Sequence, residues 1–203
     1  EIGFVGRFAV KDAFYRKAKQ EGFRARSAYK LQEIQQKYRV IKQGNRVLDL
    51  GCAPGSWLQV LSGLVGEKGF VKGIDLLPVL PLPQKNVAVT VADIRTLHVE
   101  ELLAGLSISS FDGITCDIAP NLSGIREVDN ANIAELFTAV RAVVKETLKK
   151  GGIFIFKSFF SEDLKPTIKD LETLFAHVSI YKPPASRGVS AEVYLVCQGK
   201  NSV

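Results

Sequence analysis

The chain has 203 residues, 46% of them hydrophobic, and a formal net charge of +6. That length suits one ordinary domain with a substantial core, and no apolar run reaches membrane-spanning length, so a cytoplasmic globular protein without a membrane partner is expected. Cys52, Cys116 and Cys197 lie far apart, which excludes a disulfide framework and a metal-type cluster and leaves Cys116 and Cys197 as small core residues.

The charge is concentrated at the start of the chain. Residues 1–46 carry 12 Lys/Arg against 4 Asp/Glu, whereas the remainder carries 15 against 17. Phe8, Phe14, Tyr15, Phe23 and Tyr29 are interleaved with that charge. A basic lobe studded with rings has the electrostatic footprint of a nucleic-acid partner, with aromatics offered for base stacking. A solvated helical face with its rings turned inward accounts for the same residues. Helices are expected over 11–20 and 27–38, the second with Ala28, Leu31, Ile34 and Tyr38 at helical spacing. Residues 1–45 therefore read as a basic helical extension of a single domain spanning 1–203.

Beyond residue 45 the pattern alternates. Strands are expected at 46–50, 70–75, 87–91, 111–116 and 152–157, separated by helices at 57–65, 96–105 and 129–150. A helix at 163–176 leads to strands at 177–181 and 192–197. This α/β order implies a parallel sheet covered on both faces. The loop Pro183–Ser190 joins the last two strands without a helix, which lets the final strand run antiparallel.

Residues Asp49-Leu50-Gly51-Cys52-Ala53-Pro54-Gly55-Ser56-Trp57 follow the first strand and open a helix. Gly51 and Gly55 permit a tight turn and close approach to a ligand. The loop lacks the glycine that admits a pyrophosphate in dinucleotide sites. A ligand with an adenosine and no phosphates suits it better, and S-adenosylmethionine is the leading candidate. Asp49, Asp75, Asp93, Asp117 and Lys157 are the polar residues at the carboxyl ends of strands, where ligands gather in such sheets. Asp75, 24 residues after Gly51, suits the ribose hydroxyls, and Asp93 suits the adenine amino group. Turn formation explains each acid singly. Trp57 either walls the site or packs at the helix start.

Lys157 stands among Phe154, Phe156, Phe159 and Phe160. Desolvation and a second nearby cation both favour the neutral amine of a lysine, which can act as a base. The alternative is an ammonium that reaches water along its flexible stem.

Four further segments occur in order: Arg26-Ser27-Ala28-Tyr29-Lys30-Leu31, Asp117-Ile118-Ala119-Pro120-Asn121, Phe156-Lys157-Ser158 and Ser190-Ala191-Glu192-Val193-Tyr194. With the 49–57 loop, they closely resemble the FtsJ (RrmJ) family of RNA ribose 2′-O-methyltransferases, over about residues 11–199. The resemblance implies a Rossmann-like class I S-adenosylmethionine-dependent methyltransferase, with a seven-stranded, mostly parallel sheet and an antiparallel last strand. It implies Lys30, Asp117, Lys157 and Glu192 as a catalytic tetrad. It also matches Gly55, Trp57, Asp75, Asp93 and Asp117 to cofactor positions, beside Gly51 of the same loop. Cys52 stands where an alanine is common and Ser56 where a glycine is; both are small.

The donor methyl of S-adenosylmethionine is already activated, so the protein must align a ribose hydroxyl and remove its proton. Alignment supplies on the order of 7–11 kcal/mol in the best intramolecular cases, and a general base adds roughly 10²–10⁴-fold. Lys157 is the preferred base, with an orienting cation as the fallback. The basic lobe, Lys182, Arg187 and the Pro183-Pro184 loop would flank the site and hold RNA phosphates without reading sequence. The resemblance favours a uridine of large-subunit ribosomal RNA acted on by a monomer. Relatives acting on tRNA anticodon loops share some of these motifs. A non-catalytic RNA-binding or ribosome-assembly module of the same fold is a further alternative, but such a module would be expected to lose tetrad members, and all four are present. An NAD-dependent oxidoreductase is disfavoured by the missing glycine.

Overall fold

A computed structural model describes residues 14–103, 105–118, 123, 125–184 and 191–202. Phe8 and the other residues before 14 lie outside the described residues, as do Ala119, Pro120, Asn121 and Arg187.

Residues 14–20 form helix α1, and Ser27–Tyr38 form α2. The apolar spacing of α2 buries Ala28, Leu31 and Ile34 on one face. The helix stops at Arg39, whose left-handed conformation turns its N–H back onto the Gln35 carbonyl. There follow β1 (Arg46–Leu50), α3 (Ser56–Val65), β2 (Phe70–Asp75), β3 (Val87–Val91) and α4 (Val99–Leu103). The second half comprises β4 (Phe111–Cys116), α5 (Arg126–Thr147), β5 (Leu148–Phe159), α6 (Leu164–Leu174), β6 (Phe175–Tyr181) and β7 (Glu192–Lys200).

The seven strands form one sheet in the order β3-β2-β1-β4-β5-β7-β6. Its pairs are parallel except the two made by β7, which runs antiparallel to both β5 and β6. Strand alternation then sorts the apolar residues into two layers. Leu48, Leu50, Ile114, Phe154 and Leu195 face one cluster, with Val140, Val144 and Leu171 from α5 and α6. Val47, Val71, Ile155 and Val196 face the other, with Leu31 and Ile34 of α2 and Leu58 and Leu61 of α3. Cys116 and Cys197 are buried in the first layer and Cys52 in the second, as small core residues.

Several boundaries from α4 onward differ from expectation by a few residues, and two of the differences are informative. The helix expected over 96–105 is confined to Val99–Leu103. The helix expected to end at 150 ends at Thr147, and Leu148 pairs with Phe111 before the register shifts to Gly113↔Ile153. Leu148 continues the apolar phase of Val140 and Val144, so periodicity could not mark the change. The Gly151-Gly152 pair makes it possible, since Leu148 packs where a side chain at Gly152 would stand.

The aromatics of the basic lobe are largely turned inward. Phe14 and Phe23 pack on Tyr29 with ring centroids 5.7 and 5.8 Å away, and the Tyr29 hydroxyl donates to Glu21. These three rings are therefore not offered for base stacking, and the core reading holds for them. Tyr15 is exposed.

β1 carries one charged residue into the α2–α3 layer. The Asp49 side chain is 1% exposed, accepts a 2.6 Å hydrogen bond from the Thr115 hydroxyl through Oδ1, and leaves Oδ2 without a partner. Burial is the main cause, with the charges of Asp117 and Asp75 adding to it, of a carboxyl pushed up from 3.8 to about 8. A raised folded value means that the folded state holds this proton more tightly than the unfolded chain. The group's contribution to stability is full below the unfolded value near 4 and is lost as pH rises through about 8. Asp49→Asn keeps the acceptor for Thr115 and removes this titration. Its urea stability should gain on the parent chain from mildly acidic to alkaline pH, by on the order of a few kcal/mol at the alkaline end. Stability curves that stay parallel across that range would mean that Asp49 does not hold its proton in the folded state.

Candidate active site

A cleft of about 520 Å³ opens at the carboxyl ends of β1, β2, β3 and β4. The strand order reverses between β1 and β4, and open α/β sheets place ligands at such a point. The volume falls in the range of about 300–1,000 Å³ typical of small-molecule sites. Gly51 and Ala53 form one wall, Asp75, Leu76 and Leu77 a second, and Asp93 and Asp117 lie further along it. Asn132 and Leu136 of α5 close the far side.

Gly51 is required at its position. Its φ is +73°, and a Cβ there would lie 2.3 Å from the Ile118 side chain, which also lines the cleft. Asp75 ends β2 with each carboxylate oxygen accepting one backbone N–H, from Ala53 at 2.8 Å and from Leu77 at 2.8 Å. Each oxygen retains accepting capacity toward the cleft, as vicinal ribose hydroxyls require. Asp93 also lines the cleft, but Arg95 occupies both its oxygens through Nε and Nη2, and the Arg95 backbone N–H adds a fourth contact. Those hydrogen bonds hold the Asp93 carboxyl below the usual carboxylate range. An adenine amino group would displace one of the Arg95 contacts to reach Asp93.

Two residues of the loop sit elsewhere. Trp57 is 2% exposed, stacks on Tyr194 with centroids 5.7 Å apart, and donates its indole N–H to the Ser27 carbonyl. Its side chain packs α3 against α2 and β7 and is not among the residues lining the cleft, so the packing alternative describes it. Gly55 faces Arg24 and Val79, either of which a Cβ would approach to 3.1 Å.

The four tetrad candidates converge beside the cleft. Lys157, near the end of β5, donates from Nζ to the Asp117 carbonyl at 2.9 Å and lies 3.2 Å from Asp117 Oδ1. Lys30, from α2, lies 2.5 Å from Glu192 Oε1 at the start of β7. The pairing of β5 with β7 sets Lys157 opposite Tyr194 and Phe159 opposite Glu192, and α2 lies over that face of the sheet. All four side chains are 6–16% exposed. Each lysine thus has a carboxylate partner at the edge of water.

Tyr194 completes the constellation and was not singled out from the sequence. Its hydroxyl donates to Asp117 Oδ1 at 2.7 Å, and its ring lies 5.9 Å from Lys30 Nζ. Burial, then the charges of Asp117 and Glu192, push the phenol far above its usual value, so it remains a donor. The available signal was spacing: Tyr194 follows Glu192 by two on a strand, which puts both on one face. One carboxylate oxygen of Asp117 thus meets both Lys157 and Tyr194, while Asp117 itself lines the cleft.

Proteins of similar sequence and fold identify the family. Residues 23–200 match the family model described as FtsJ-like methyltransferase. The chain is 42% identical over 187 residues to "Ribosomal RNA large subunit methyltransferase E" of Bdellovibrio bacteriovorus, covering 92% of this chain and 95% of that protein. It is 42% identical over 186 residues to the protein of that name from Methanothrix thermoacetophila, with 92% and 71% covered. A solved ribosomal RNA methyltransferase from Plasmodium falciparum superposes with a TM-score of 0.77 at 29% identity, covering 88% of this chain and 98% of that one. The fold, at 20% identity and a TM-score of 0.55, is also that of Aeropyrum pernix fibrillarin, solved with bound S-adenosyl-L-methionine. The chain belongs to the FtsJ-like methyltransferase family.

Proposed function

We propose that this protein transfers a methyl group from S-adenosylmethionine to the ribose 2′-hydroxyl of a uridine in large-subunit ribosomal RNA. The observation that carries the reading is the double membership of Asp117. It lines the cleft that suits an adenosyl ligand, and it holds the Lys157 amine that suits a hydroxyl proton. The relatives named as large-subunit ribosomal RNA methyltransferases support the substrate class.

S-adenosylmethionine supplies a sulfonium-bound methyl group that needs no further activation. Gly51 would leave room for it and Asp75 would accept from its ribose hydroxyls. The remaining work belongs to the tetrad. Lys157 Nζ contacts two acceptors, both on Asp117. A neutral amine satisfies them with two N–H groups and directs its lone pair outward, where it can take the proton of a ribose hydroxyl. Tyr194 and the Asp117 carboxylate fix the direction of that lone pair. Lys30, held by Glu192 on the same face, supplies an N–H for the oxygen that loses the proton. Fixing these groups before the reaction is the larger part of the catalysis.

Three expected outcomes test this reading. In Asp75→Ala, calorimetry should record an S-adenosylmethionine affinity lower by at least about tenfold, since hydrogen bonds to a charged group are each worth about 1.5–3 kcal/mol. Unchanged affinity in a folded variant would remove Asp75 from the site. Labelled methyl transfer, run in parallel on large ribosomal subunits, free ribosomal RNA and tRNA, should be abolished by Lys157→Ala and equally by Lys157→Arg. A guanidinium stays protonated and accepts no proton, so substantial single-turnover activity in the arginine variant would leave Lys157 an orienting cation. Tyr194→Phe should lower kcat by about tenfold, the worth of one charge-assisted hydrogen bond, with cofactor affinity unchanged. A kcat equal to that of the parent chain would limit Tyr194 to packing.

A further inference from the structure

Gly55 lies in the ligand loop yet faces away from the cleft, and the group it makes room for is the guanidinium of Arg24. A Cβ at Gly55 would meet Arg24 Nη1 at 3.1 Å and Cδ at 3.4 Å. Arg24 uses that space to join two loops distant in sequence. Its Nη1 donates to the Pro54 carbonyl at 2.9 Å and to the Leu80 carbonyl at 2.7 Å, and its Nη2 donates to the Pro81 carbonyl at 2.6 Å. Pro54 belongs to the turn that carries Gly51 and Ala53. Leu80 and Pro81 belong to the segment that leaves Asp75, Leu76 and Leu77. These are the two walls of the cleft.

We propose that Arg24 is a positioning residue for the cofactor: it clamps the two walls at the separation that S-adenosylmethionine needs. The proposal rests on the cofactor reading of the cleft given above. Three carbonyls presented to one planar fork suit a guanidinium, whose donors are fixed relative to one another; an ammonium is a point donor with no such spread. The backbone of the same segment is also tied down. Arg24 N–H donates to Gln59 Oε1 at 2.9 Å, and Gln59 Nε2 donates back to the Gly22 carbonyl at 2.9 Å. The guanidinium therefore projects from a fixed base on the first turns of α3. Inside the cleft, the Ala53 N–H bond to Asp75 joins the same two walls. Arg24 is the outer tie and Asp75 the inner one, so loosening the outer tie should reach the ligand through Asp75.

The test is calorimetry of S-adenosylmethionine on the full chain carrying Arg24→Met, Arg24→Lys or Asp75→Ala, with the melting temperature of each. Arg24→Met keeps the aliphatic stem and should raise the cofactor Kd by about tenfold, the worth of a charge-assisted hydrogen bond. The KM for the cofactor should rise by a similar factor while the KM for RNA stays constant. Arg24→Lys should recover only part of the loss, because it reaches one loop at a time. If both Arg24 variants bind the cofactor as the parent does while Asp75→Ala does not, the clamp is refuted and the cofactor reading stands. If they instead weaken RNA binding and flatten its salt dependence, Arg24 is a phosphate contact and the proposal falls. If the parent chain and all variants fail to bind S-adenosylmethionine, the cofactor reading falls and the clamp with it. A fall in affinity that Arg24→Lys fully restores would reduce Arg24 to a point charge and also refute the clamp.

Discussion

The antiparallel pairing of β7 between β5 and β6 is the constraint on which the candidate site depends. It sets Lys157 opposite Tyr194 and Phe159 opposite Glu192. Side chains alternate across a strand, so Tyr194 and Glu192 emerge beside Lys157 on the α2 side only in this register, and a slip of β7 by one residue would turn them to the α5 side. The register is held by burial on both faces. Val193 and Leu195 enter the α5–α6 layer, while Tyr194 and Val196 enter the α2–α3 layer. A slipped strand would put Glu192 and Tyr194 where Val193 and Leu195 now pack, with no partners for their polar atoms. The core therefore specifies the chemistry.

A second consequence follows from the two layers. The cleft is closed by Asn132 and Leu136 of α5, whereas the tetrad is covered by Lys30 of α2. The cleft and the Lys30–Glu192 pair thus have different helical neighbours at the carboxyl edge of the sheet. Asp117 follows β4 at the centre of that edge, with its N–H donating to the Leu50 carbonyl at 3.3 Å. It shares its face with Asp49 and Thr115, which lie deeper. The buried hydrogen bond from Thr115 to Asp49 joins β1 and β4 directly beneath the point where the strand order reverses. A protonated Asp49 leaves Asp117 and Asp75 without a third negative charge close by.

Much of this was legible in the sequence because the strands are short, apolar and bounded by glycine or acid. The expected limits of the first four strands coincide with those observed. The start of β5 was not legible, because Leu148 fits the helical phase of α5 and the strand alike. The tetrad could be named because its members are ionisable residues in ordered motifs. Tyr194 and Arg24 were less visible, for they act through a hydroxyl and a guanidinium aimed at partners 77 and about 30–57 residues away. No local pattern encodes such pairings. Trp57 and Gly55 show the converse. Their place in a motif marked them as ligand residues, but an indole N–H with a carbonyl in reach and a glycine beneath a guanidinium are packing solutions of the same loop.

The packing of the first helices also constrains how a polyanion could be held. Phe14, Phe23 and Tyr29 form a small core of their own with Ala18, so α1 is stitched to α2 through rings that a base cannot reach. What the described residues of this lobe offer outward is charge, beside the exposed ring of Tyr15. Lys37 lies exposed at the end of α2, over the rings of both Tyr38 and Tyr181. Lys182 lies over Phe160, which is exposed just beyond Lys157 on the chain. Cations of this kind meet phosphates and carry no base preference. On the function proposed above, selection of one nucleotide would then fall to the shape of the RNA and to what its distortion costs when a ribose is brought to Lys157.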